Sequence, residues 1–186
     1  MGIVKTKEMD QGKLLEVLND QAQIRKLQET NCYAEHYGLT LTEEDTKLLV
    51  EERRQALHRT RRVEFGGGIL PQIVMTFCDS QYITQDSYVD ILTRLQEIFY
   101  TYKNEIRDEI TDDELLAFMK EQYETICCGD LEYLESTCLE LFAQAIRAGY
   151  DTYQLTGGEG IYENMDLVKR WERELYMEAL RELFWG

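Results

Sequence analysis

Proline is almost missing from this chain of 186 residues, with Pro71 as the only one. That scarcity excludes proline-rich linkers and argues against a loop-heavy all-β fold. Long apolar runs are missing too: nothing approaches the roughly 20 residues that a membrane-spanning helix requires. The opening Met1-Gly-Ile-Val-Lys-Thr has no apolar core, so no secretory signal is expected, and the protein is read as soluble and cytoplasmic. Only two histidines are present, His36 and His58, which leaves little material for metal centres or histidine-based catalysis.

Basic residues are in short supply. Lys and Arg number 20 against 36 Asp and Glu, a net charge of −16. Residues 1–62 carry 11 of each sign, so the whole excess belongs to residues 63–186. Such a surface repels nucleic acid and anionic membrane, and neither is expected as a partner. The five cysteines (Cys32, Cys78, Cys127, Cys128 and Cys138) are odd in number, irregular in spacing and without a CxxC pair. A disulfide framework or zinc ribbon is therefore not expected; reduced, mostly buried thiols are.

Helical periodicity runs through nearly all of the rest. Residues 10–18 and about 20–36 read as two helices or one bent helix, with Leu14, Leu15, Leu18, Ile24 and Leu27 as the inner side, ended by Gly38. Residues 1–9 read as a flexible tail. Thr42 should cap a helix reaching about Arg62, with Glu43, Glu44 and Asp45 in its first turn. After Gly66, Gly67 and Gly68, a short helix from about Ile69 carries the stripe Ile69, Leu70, Ile73, Val74, Phe77 and Cys78, with Pro71 in its first turn. A long helix is expected at about 84–107, and Thr111 with Glu114 forms a capping box for one at 111–126. A further helix at about 130–148 ends at Gly149, and a last one is expected at about 163–185. No strand is convincing; residues 63–65 are too short a candidate. The expectation is an all-α, single-domain bundle of six to eight helices over residues 1–186.

The best candidate site lies in Arg53-Arg-Gln-Ala-Leu-His-Arg-Thr-Arg-Arg62, which holds five basic residues and no acid, and in Val63-Glu-Phe-Gly-Gly-Gly68 after it. Glycines permit close backbone approach, a helix start offers free N–H groups, and arginine presents a planar fork to phosphate or carboxylate. A phosphorylated or carboxylated ligand could thus lie between Arg59, Arg61 or Arg62 and the backbone of Gly66, Gly67 and Gly68. The structural alternative is that the cations only complement a helix C-terminus and the glycines only turn a corner. No Lys-Ser/Thr follows the glycines, so this is not a Walker loop.

Other candidates are thinner. Cys32 and His36 stand four apart, a spacing that could serve one metal ion, but third and fourth ligands are missing. Cys127 and Cys128 precede a helix start without a nearby base, and no catalytic residue, metal site or cofactor is assigned. Tyr88 and Tyr102 belong to apolar stripes, whereas Tyr100, Tyr150, Tyr153 and Tyr162 read as surface tyrosines, a residue type enriched at protein interfaces.

Three segments, Leu41-Thr-Glu-Glu-Asp45, Arg62-Val-Glu-Phe-Gly-Gly-Gly-Ile-Leu-Pro71 and Phe77-Cys-Asp-Ser80, resemble an uncharacterised bacterial family of short cytosolic proteins from anaerobic Gram-positive bacteria, a domain of unknown function. The likeness runs from about residue 30 onward and is most specific over Val63–Pro71. It implies a bacterial cytosolic protein and transfers no activity or catalytic residue. The residues themselves favour a non-enzymatic helical module that binds a protein or a second copy of itself. The alternative is a binder of, or an enzyme acting on, an anionic small molecule at the Arg59–Gly68 turn.

Overall fold

The computed structural model describes residues 2–65 and 67–150, with side chains from residue 11 onward. The expected helix at 163–185, Tyr153, Tyr162 and Gly66 lie outside the described residues. The protein is all-α: among the described residues there is no strand. In chain order come α1 (Gly2–Ala34) and a 3-10 turn (Glu35–Tyr37), then α2 (Glu43–Thr60), α3 (Leu70–Phe77) and α4 (Tyr88–Glu105). Next follow α5 (Asp112–Thr125), α6 (Leu131–Tyr133), a π-helical segment (Leu134–Leu139) and α7 (Glu140–Arg147). The chain clusters into two compact units, residues 1–97 and 98–186.

In the first unit, α1 packs against α2 and α3. It is one helix from Gly2, so residues 2–9 continue it where a tail was expected. Nothing between Ile3 and Gln11 breaks a helix, and Gly12 costs only about 1 kcal/mol within one. Its buried stripe is Gln23, Leu27, Asn31 and Ala34. Leu14, Leu15 and Leu18, read as inner residues, are instead more than half exposed. At 100° per residue they fall on the side opposite that stripe, while Glu16 and Asp20 continue the stripe toward α2. There Asp20 and Glu16 both meet the guanidinium of Arg54. The helix rotation thus buries Leu27 and Ala34 and brings Glu16 and Asp20 to Arg54, leaving Leu14, Leu15 and Leu18 outside.

The caps expected for α2 and α5 are present. Thr42 accepts from the Asp45 amide, and the Asp45 carboxylate accepts from the Thr42 amide at 2.9 Å. Thr111 and Glu114 do the same for α5. The core of this unit gathers Leu49, Val50, Ile73, Val74, Phe77, Leu92 and Leu95, all under 5% exposed. A polar bond ties α4 to α1: the Tyr88 hydroxyl donates to Asn31 Oδ1 at 2.5 Å, and the Asn31 amide donates to the Leu39 carbonyl at 3.3 Å.

The second unit is built on Leu115, Met119, Tyr123, Leu134, Leu139, Phe142 and Ile146, with Phe118 stacked on Phe142 at 3.8 Å between ring centroids. Tyr100, read as a surface residue, is fully buried, on the side of α4 that also buries Gln96 and Lys103, four before and three after it. The buried Lys103 ammonium closes the turn between α4 and α5, donating to the Ile110 carbonyl at 2.7 Å and pairing with Asp112 at 2.9 Å. It offsets the strain of Arg107 and Asp108, which both take positive φ.

Two outcomes test this packing. Tyr88→Phe leaves buried Asn31 short of a donor and should lower unfolding free energy by about 1–2 kcal/mol in urea titrations. Glu121 is 9% exposed, and burial lifts its carboxyl from 4.5 to about 7. The folded chain therefore holds that proton more tightly than the unfolded one, and stability should fall as pH rises from about 4.5 to 7. Glu121→Gln should remove that decline, so that the variant gains roughly 1–3 kcal/mol on the wild type between pH 4.5 and 8.

Candidate functional site

The basic run falls on the last two turns of α2 and the segment that leaves it. Arg61 ends the helix in a left-handed conformation (φ 55°), its amide bonded to the His58 and Leu57 carbonyls. The next residues run without regular structure and alternate: Arg61, Val63 and Phe65 are exposed, whereas Arg62 and Glu64 are partly buried. Val63 is 76% exposed and Phe65 88%.

Glu64 organises the turn. One carboxylate oxygen accepts from Arg53 Nε at 3.0 Å, and the other accepts from the Ile69 amide at 2.8 Å, at the start of α3. Arg53 and Glu64 side chains are 9% and 16% exposed, so this pair is sheltered from solvent. The glycines make room for it. A Cβ on Gly68, whose φ is +68°, would stand 2.8 Å from Arg53 Nε and 2.9 Å from Glu64 Oε2. A Cβ on Gly67 would stand 2.7 Å from Lys26 Cε. Gly67 and Gly68 thus leave room for three charged side chains that pass over the backbone of the turn.

Sequence reasoning placed an anion at this helix start, held by Arg59, Arg61 or Arg62. An anion is there, and it is the chain's own Glu64. Of the three arginines, the Arg59 side chain meets Glu97 at 3.6 Å, the Arg61 amide caps α2, and the Arg62 amide donates to the Leu57 carbonyl at 2.9 Å. The residues missed were Glu64, Arg53 and Lys26. A signal for Glu64 was available, since it is the first acid after eleven positions free of acids and stands two residues before the glycines.

Along α2, an open groove of about 400 Å³ is lined by Arg54, Gln55, His58 and Arg59. Arg54 is engaged by Asp20, Glu51 and Glu16, and its hydrogen bond to Asp20 is the main reason its proton is held more firmly than usual. The Cys32–His36 pairing does not form on one helical side, because α1 ends at Ala34 and His36 sits in the 3-10 turn, edge-on to Tyr33. Among the described residues no group of three or more His, Cys, Asp and Glu could hold a metal ion. Nor, among them, is any helix long and apolar enough to cross a membrane.

The turn, the groove and the whole of α2 to α7 fall inside a match to a family model covering residues 26–152. The chain belongs to the family of unknown function DUF6323. The match begins within α1, so the exposed leucines at 14, 15 and 18 precede the family region, whereas Glu64, Gly67 and Gly68 lie inside it. No curated protein and no solved structure matches the chain.

The Glu64 clamp makes a direct prediction. Glu64→Gln leaves Arg53 sheltered without a counter-charge and should lower unfolding free energy by about 2–4 kcal/mol. Gly68→Ala should destabilise comparably, through both its positive φ and its contact with the pair. Urea titrations of both variants check this; wild-type stability in either would remove the clamp.

Proposed function

We propose that this protein is a non-enzymatic bacterial cytoplasmic interaction module. It would bind a partner protein through the exposed side of the segment between α2 and α3. The observation that carries this reading is the pairing of a pinned backbone with outward apolar side chains. Glu64 anchors the segment at two points, while Val63 and Phe65 stand 76% and 88% exposed beside Arg61. An aromatic ring held out on a preorganised backbone loses little freedom on binding, and burying it contributes roughly 1.5–3 kcal/mol. Arg61 on the same side adds a charge preference. The partner's surface is therefore an apolar recess bordered by a carboxylate, a match that the acidic bulk of this chain would not provide for a nucleic acid.

A second reading has its own support in the groove of Arg54, Gln55, His58 and Arg59, which could admit a small phosphorylated or carboxylated molecule. One experiment separates the two. A photo-crosslinking phenylalanine analogue is placed at position 65, with position 144 as an exposed control, and the protein is irradiated in its own host. One reproducible protein adduct at 65, lost on Arg61→Glu and missing at 144, is the expected result. Equal labelling at both positions would sink the interaction reading. Phosphate-induced thermal stabilisation that disappears in Arg59→Ala would favour the groove instead.

A further inference from the structure

Cys127 and Cys138 were expected only as buried, reduced thiols. Their Sγ atoms stand 3.6 Å apart, with the residues 7% and 3% exposed. Each belongs to an irregular piece of backbone. Cys127 lies in the turn that ends α5, where its amide donates to the Gln122 carbonyl at 2.8 Å. The turn is completed by Cys128 and Gly129, both at positive φ, with the Gly129 amide reaching back to the Tyr123 carbonyl at 3.0 Å. Cys138 lies in the π-helical segment Leu134–Leu139.

A π segment inserts a residue into a helix and is kept where the shifted side chains serve a purpose. Here the segment has an external support: the Tyr102 hydroxyl of α4 donates a short hydrogen bond to the Glu135 carbonyl. The same hydroxyl lies 3.5 Å from the Glu140 carboxylate. Leu134, Cys138, Leu139 and Phe142 are all buried across the shift. The shifted register is thus fixed at its start by a side chain from another helix, and Cys138 faces Cys127 from within it.

We propose that Cys127 and Cys138 form an oxidisable dithiol, a modification site at which a hydroperoxide closes a disulfide between α5 and the π segment. The Cys127 sulfur, after losing its proton, attacks one peroxide oxygen. The O–O bond breaks, and a sulfenic acid forms with release of one water. The Cys138 sulfur then attacks the Cys127 sulfur; the S–O bond breaks and the hydroxyl leaves as water with the Cys138 proton. Two thiols and one hydrogen peroxide give one disulfide and two waters, with two electrons passing from the sulfurs to the peroxide. Closure needs the sulfurs to approach from 3.6 Å to about 2.05 Å, within reach of side-chain rotation. Tyr102 is a positioning residue for this step.

The test uses the full chain, reduced and then exposed to hydrogen peroxide, alkylated and cleaved after glutamate. Cleavage after Glu124, Glu132, Glu135 and Glu140 separates Cys127 from Cys138. The expected result is a cross-linked pair of peptides, 125–132 with 136–140, that also forms in Cys128→Ser and vanishes in Cys138→Ser. Tyr102→Phe should slow its formation while leaving alkylation of exposed Cys128 unchanged. A cross-link that requires Cys128, or sulfinic and sulfonic products without any cross-link, would overturn the dithiol. An unchanged rate in Tyr102→Phe would overturn the role of the π segment. Circular dichroism of each variant establishes that it is folded before oxidation.

Discussion

The Glu64 carboxylate is the point on which the first unit turns. A single side chain neutralises a sheltered arginine from α2 and supplies the first acceptor at the start of α3. Helix starts need such acceptors, because their leading N–H groups have no partner within the helix. α3 itself is strongly apolar, burying Leu70, Pro71, Ile73, Val74 and Phe77 within eight residues, and the acceptor for its N-cap amide comes from Glu64. Bringing the acceptor from five residues upstream forces the chain to fold over itself. That in turn forces Gly68 into a conformation and a proximity that other residues would not tolerate. The glycines, the arginine and the glutamate are one device.

The same device explains how an apolar segment can stand in water. Where Glu64 is turned inward, its neighbours Val63 and Phe65 stand outward. Moving either ring or branched side chain inside would shift the register by one residue and drive Glu64 out, leaving Arg53 without a counter-charge. Exposure of Phe65 is therefore coupled to an ion pair and not to loose packing.

Much of the fold was legible because helix signals are local. Both N-caps, the position of Pro71 and the stop at Gly149 depend on residues within four of one another. The rotation of α1 was not legible. Leu14, Leu15 and Leu18 form the more hydrophobic side, and only the distant Arg54 shows why Glu16 and Asp20 face α2. Likewise the π segment depends on a hydroxyl 33 residues away, so the periodicity of residues 130–148 reads as an ordinary helix. At the candidate site, the ingredients for holding an anion were visible in the sequence, but not that an internal carboxylate would hold the place.

The two units handle buried polarity in related ways. In the first, Glu64 brings a charge to a backbone end; in the second, Tyr102 brings a hydroxyl to a carbonyl of a disturbed helix, and Lys103 brings an ammonium to the carbonyl of Ile110. Each time a side chain from one element satisfies backbone irregularity in another, which satisfies the polar groups and fixes the relative placement of the two. The irregular places so supported carry the exposed Phe65 in one unit and the Cys127–Cys138 pair in the other. Regular helices alone would bury the same apolar stripes and provide neither. Departures from regularity that are individually stabilised by long-range polar bonds are where this family's chemistry or recognition should be sought, ahead of its acidic surface.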